Sequence, residues 1–219
     1  MSLIALTRPF RARALPGLLL VLFPIIEFFA MGYKMACASA AMRKIYDLPV
    51  WKNWKSLFIF GLGARLIQAI WLTPPAAMFA FIYLKLRVVQ DLQTVLAAKN
   101  WLIMLVVLLI IAAIFAPASV LNYIAEAKFK AAFSFSMLKR MATKAYAVGW
   151  LTTGMYTLLL IAAFSGTLLL VSVYLTGLPK LAIGLVVMFI ESFFFWFPGV
   201  TIWTLLGEAW GNALQQENY

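Results

Sequence analysis

The chain has 219 residues, 65% of them hydrophobic and only 11% charged, where a soluble domain has about 45–50% apolar and about 25% charged residues, so a water-soluble fold could not cover its apolar surface. Its net charge of +11 comes from basic residues in short connectors between apolar runs, with no basic helix or aromatic-plus-basic module, which argues against nucleic acid as a partner. A single cysteine, Cys37, excludes an intrachain disulfide, and the lack of histidine excludes His-ligated zinc or haem and every His-based catalytic group.

A helix needs about 20 apolar residues to cross about 30 Å of hydrocarbon. Five runs qualify: 14–33, 57–84, 101–116, 148–175 and 181–206. Ahead of them, residues 1–13 form a basic segment with Arg8, Arg11 and Arg13. The run at 14–33 exceeds a signal-peptide core and is read as a retained segment. It carries Pro16, Pro24 and Glu27. Proline removes a backbone hydrogen bond and a carboxylate is costly in hydrocarbon, so this run is expected to be broken or re-entrant unless it spans in full.

Connector 34–56 opens with small residues (Ala36 to Ala41), which allow close helix approach, and turns at Asp47-Leu48-Pro49. Trp51, Trp54, Lys52 and Lys55 then read as interface anchors. The run 57–84 contains Pro74-Pro75, which predicts a kink or an oblique exit from the bilayer. The run 101–116 stops before Pro117 or continues past it toward Tyr123. In 120–146, Asn122, Glu126, Lys130 and Ser134 recur every four residues beside an apolar row of Leu121, Ala125, Phe129, Phe133 and Met137. That pattern predicts an amphipathic surface helix with an i,i+4 pair between Glu126 and Lys130.

The expected fold is therefore all-α. It is a polytopic membrane protein of four to five membrane segments with amphipathic interfacial helices, all in one integral membrane domain over 1–219. Connectors 34–56 and 126–146 carry ten Lys and Arg, and connectors 85–100 and 176–180 carry four. The positive-inside rule places the first pair in the cytoplasm of a cell membrane.

The segments Gly32-Tyr33-Lys34, Leu48-Pro49-Val50-Trp51 with Trp54, and Leu57-Phe58 with Gly61-Leu62 resemble the uncharacterised prokaryotic membrane family catalogued as domain of unknown function 4013. So does Lys128-Phe129-Lys130-Ala131-Ala132-Phe133-Ser134-Phe135 with Leu138 and Arg140. The resemblance runs roughly from residue 15 to 213. It departs at Trp71-Leu72-Thr73-Pro74, where the family tends to carry a tyrosine before its proline. It implies membership without an activity, and no catalytic residue carries over.

Glu27, Arg65 and Glu191 lie inside apolar runs and form the candidate intramembrane polar site. The carboxylates could bind a cation or relay a proton; otherwise each is protonated, or tied to Lys34 or Arg65. Arg65 could bind an anionic group or snorkel to the headgroups. Gly207 and Gly211 have GxxxG spacing and are candidate helix-packing residues. The aromatic block 193–197 could bind a quinone, pigment or acyl chain, or simply face lipid.

No catalytic, cofactor or metal site is expected from so few nucleophiles and carboxylates. The expected role is non-catalytic: an accessory, assembly or scaffold subunit binding a membrane partner, lipid or hydrophobic peptide, with membrane lipid and a protein partner or a second copy as its contacts. The alternative is a small transporter or channel using Glu27, Arg65 and Glu191, with Gln68 also on the path.

Overall fold

The computed structural model describes Thr7 and residues 27–88, 92–174 and 179–217. Among the described residues there is no strand. The elements are α1 (Glu27–Met42), α2 (Trp54–Val88), α3 (Leu92–Glu126), a 3-10 helix (Phe129–Phe133), α4 (Phe135–Met141), α5 (Lys144–Tyr174) and α6 (Lys180–Glu217). Four stretches are long and apolar enough to cross a membrane: Trp54–Lys85, Lys99–Glu126, Lys144–Val171 and Ala182–Gln216. Their outward faces carry Phe79, Val106, Leu159, Leu169 and Phe195, all exposed, as expected where lipid is the solvent. The fold is that of an all-α membrane protein.

The bundle is organised around α1. Its buried residues run from Ala30 to Ala41, and it lies antiparallel to α2 and parallel to α6. Gly32 meets Leu57 and Gly61 meets Phe28 on one side, while Gly207 meets Ala38 and Gly211 meets Met42 on the other. At each of these four glycines a Cβ would overlap a carbonyl of the facing helix, so the helices touch backbone to backbone. Close approach of this kind replaces the hydrophobic drive that lipid removes. Helices α3 and α5 flank the trio, α3 against α2 and α5 against α6.

Several sequence expectations are corrected here. Of the run 14–33, most lies outside the described residues; its last part, from Glu27, is helical. The helix does not stop at Tyr33. Residues 34–42, expected in a connector, are the buried second half of α1, because the small residues of 36–41 continue its packing face. The connector is thus 43–53. Helix α2 runs through Pro74 and Pro75, and α3 passes Pro117 to end at Glu126.

The amphipathic helix expected over 120–146 does not form. Residues 120–126 are the end of α3, Ala127 adopts a left-handed φ of 53°, and the chain folds back through the 3-10 helix and α4. The reason is that Asn122, the first residue of the polar row, is buried and bonds to the folded-back chain. Buried Asn122 donates to the Ala131 carbonyl (2.7 Å) and to Ser134 Oγ (3.1 Å), and its side-chain oxygen accepts from Arg140. Arg140 also pairs with Glu126 at 2.9 Å, so Glu126 is bonded to Arg140 in place of the expected Lys130. Ser119 ties the same turn to α2 by accepting from the Trp71 indole at 2.9 Å. Met137 is buried as expected, but Phe129 and Phe133 remain 42% and 44% exposed.

Candidate intramembrane polar site

The antiparallel contact of α1 and α2 brings Glu27 beside Arg65, and the two form an ion pair. Arg65 also donates to Gln68 Oε1 at 3.1 Å. It is therefore held within the bundle by two neighbours, which differs from a side chain snorkelling to the headgroups. At 1.5 Å per residue, Arg65 lies roughly 17 Å along α2 from its first residue, inside the apolar stretch Trp54–Lys85.

Lys34 lies two helical turns after Glu27 on the same face of α1. The positive-inside count treats it as a connector base, yet it is only 7% exposed. Its Nζ donates to the Phe195 carbonyl at 3.1 Å and sits 5.5 Å from the Trp196 ring. The cause is in α6. Pro198 has no N–H for the Phe194 carbonyl one turn earlier and opens that part of the ladder. Gly199 leaves room for the lysine, since a Cβ there would come within 2.8 Å of Lys34 Cε and Nζ. Among the described residues Lys34 has no carboxylate partner.

The same rule operates at Pro117 in α3, which cannot donate to the Ala113 carbonyl. The Trp150 indole of α5 donates to that carbonyl at 2.9 Å, and the Tyr146 hydroxyl donates to the adjacent Ile114 carbonyl at 3.1 Å. In both helices a proline leaves a carbonyl unserved in a medium without water, and a side chain from another helix serves it or its neighbour.

Lys34, Arg65 and Gln68 open onto a cavity of about 310 Å³ bounded by α1, α2, α5 and α6, whose other walls include Leu160, Phe164 and Trp203. The structure joins Glu27 to Arg65 but leaves out Glu191, which is exposed on α6 and bonds to no described residue. Gly207 and Gly211 lie at the contact of α6 with α1. The aromatic block is divided: Trp196 and Phe197 are buried, while Phe193 and Phe195 face outward. A larger cleft of about 710 Å³ lies at the connector end, beside Ser39, Arg43 and Asp47.

The sequence reading names Lys34 only as a possible partner of the carboxylates and as a connector base, because it follows the apolar run. The available signal was the small-residue stretch after it, which continues the helical face for two more turns. The first group of motif residues quoted for the family resemblance packs around Lys34. Gly32 contacts Leu57, Tyr33 stacks on Trp51 (4.2 Å between centroids, 7° between planes), Lys34 reaches Phe195, and Leu48 is buried in the same cluster as Tyr33 and Trp196. A family profile described as "Protein of unknown function (DUF4013)" matches residues 15–173. No curated protein and no solved structure matches the chain.

Proposed function

The chain belongs to the DUF4013 family, and from that premise we propose that it is a non-catalytic membrane protein that acts by binding, as an accessory, assembly or scaffold subunit for a membrane partner, lipid or hydrophobic peptide. The observation that carries this reading is the backbone-to-backbone contact of α1 with α2 and with α6. Backbone contact at Gly32 and Gly61 on one side of α1, and at Gly207 and Gly211 on the other, leaves no gap along these seams for a path. Several polar groups of the helices are also engaged. Glu27 is paired with Arg65, and the hydroxyls of Thr153, Ser192, Thr201 and Thr204 donate to carbonyls of their own helices. A carrier needs such groups free to line a route.

In this reading the protein sits in a cell membrane with its basic connectors in the cytoplasm. Helices α2 and α3 run in opposite directions, so 43–53 and 127–143 share a side. With Lys34 removed from the count, that side together with the starts of α2 and α5 carries nine Lys and Arg, against four (Lys85, Arg87, Lys99 and Lys180) on the other.

The test is gentle purification from the native membrane together with the variant Glu27→Gln, which keeps the side-chain shape and removes the charge. We expect co-purifying partner chains or lipid, modest destabilisation by the variant, and an intact complex. Solute or ion flux in reconstituted vesicles that disappears in Glu27→Gln, with folding and assembly normal, would replace this reading with transport.

A further inference from the structure

We propose that the cavity between α1, α2, α5 and α6 binds the carboxylate of a single-chain amphiphile, a fatty-acid-like molecule, between Lys34 and Arg65. This deepens the binding reading above by naming a ligand class.

The argument starts from charge. Three charged side chains gather at this depth, Lys34, Arg65 and Glu27, and the Glu27 carboxylate is already engaged by Arg65. One positive charge remains, on a lysine that is 7% exposed and has no carboxylate partner among the described residues. An ammonium has three donors, and Lys34 spends one on the Phe195 carbonyl, leaving two for an acceptor in the cavity it lines. A desolvated charge in hydrocarbon is costly unless paired, and a single added anion makes the group neutral. Arg65 and Gln68 lie on the same wall and supply further N–H donors suited to a carboxylate.

The shape of the cavity narrows the class. Beyond the polar wall it is lined by Leu160, Phe164, Phe194 and Trp203, so a ligand that places its anion on the lysine lays hydrocarbon on these groups. At about 310 Å³ the cavity is at the small end of ligand sites. Lys34 lies eight residues before the last residue of α1, about 12 Å below that end of the bundle. A phospholipid headgroup would have to leave the interface to reach it. A partner helix, about 10–12 Å across, could enter only with one side chain.

The experiment uses the full chain in detergent micelles, with bound molecules counted by native mass spectrometry. The probes are oleate, methyl oleate (the same chain without charge) and phosphatidylglycerol. The wild type should hold a single oleate in preference to methyl oleate and phosphatidylglycerol. Lys34→Met should weaken oleate binding by about tenfold or more, the size of one lost charge-assisted hydrogen bond, and Lys34→Arg should retain it. Because Lys34→Met also removes the contact with α6, Ile161→Trp serves as a second variant. Ile161 lines the cavity and is 55% exposed, so the larger ring should obstruct the chain end, leave both cations in place and lower oleate binding in a protein that still melts like the wild type.

Equal binding of oleate and methyl oleate, or wild-type oleate binding in Ile161→Trp, would overturn the proposal. Preference for phosphatidylglycerol would overturn the ligand class in favour of a headgroup lipid. A stoichiometric protein partner lost in Lys34→Met, with no oleate bound by the wild type, would overturn the pocket assignment while leaving the accessory reading intact. Flux abolished by Glu27→Gln would instead overturn the accessory reading and say nothing against oleate in the cavity.

Discussion

Proline residues decide where polar side chains dock in this bundle. Pro117 leaves the Ala113 carbonyl without its helical donor, and the Trp150 indole supplies one at 2.9 Å. Trp150→Phe should therefore lower stability by about 0.6 kcal/mol and at most about 1.7 kcal/mol, the range of polar contacts inside membranes. In a Pro117→Ala background Ala113 regains a backbone partner, so the same change should cost less. Reversible unfolding of the four proteins in mixed micelles measures this coupling, and an unchanged cost would show that the indole does not compensate for the proline. Arg140 gives a second test at this scale, since it bonds both Glu126 and the buried Asn122. Arg140→Met should cost about 1.5–3 kcal/mol, as expected for hydrogen bonds to a charged group, whereas Lys130→Met on the exposed side of the same turn should change the midpoint little. The prolines could be read from the sequence, but the donors could not, because they come from helices distant along the chain.

At the scale of elements, four glycines set the spacing of α1, α2 and α6. Gly207 and Gly211 have the GxxxG spacing recognised in the sequence, and their facing groups are the carbonyls of Ala38 and Met42. Gly32 and Gly61 belong to no such motif, and only the crossing of α1 and α2 reveals them. Gly207→Leu should force α6 away from α1 and sharply reduce the yield of monodisperse protein. Gly166→Leu should be tolerated, because no atom lies within 4 Å of the Cβ position at Gly166 on α5. Comparable losses in size-exclusion profiles for the two variants would mean that the α1–α6 contact does not hold the bundle together. The failed amphipathic helix over 120–146 belongs here too. Its four-residue periodicity is real, but Asn122 and Glu126 of its polar face bond to the folded-back chain, and periodicity does not say whether a polar face meets water or protein.

For the whole molecule, the alternating directions of α2 and α3 and the clustering of basic residues yield a topology test. Single cysteines replacing Lys52 and Lys139 in a Cys37→Ala background should both resist a membrane-impermeant thiol reagent in intact cells and react after lysis. A cysteine replacing Lys99, which lies at the opposite end of the span Lys99–Glu126, should react without lysis. Reaction of only one of the first pair in intact cells would rule out the four-span arrangement. All three sites are exposed, so accessibility reports sidedness and not burial.

Composition and hydropathy determined that this chain is helical and belongs in a bilayer, and they located the starts of the four long spans to within four residues, while the runs 101–116 and 181–206 stopped ten residues short of the ends at Glu126 and Gln216, because transfer into lipid is close to a sum over residues and needs no knowledge of partners. The family membership was likewise legible in Gly32-Tyr33-Lys34 and Leu48-Pro49-Val50-Trp51. The tertiary structure decided what those residues do. It turned residues 34–42 from a connector into the core of the bundle, moved Lys34 from the interface to a carbonyl beside Pro198, joined Glu27 to Arg65 and left Glu191 on the outer face. Each outcome depends on which helix faces meet and how closely. In lipid, apolar residues on the outside and apolar residues on the inside look alike in sequence, so only packing distinguishes a charge that faces a partner from one that does not.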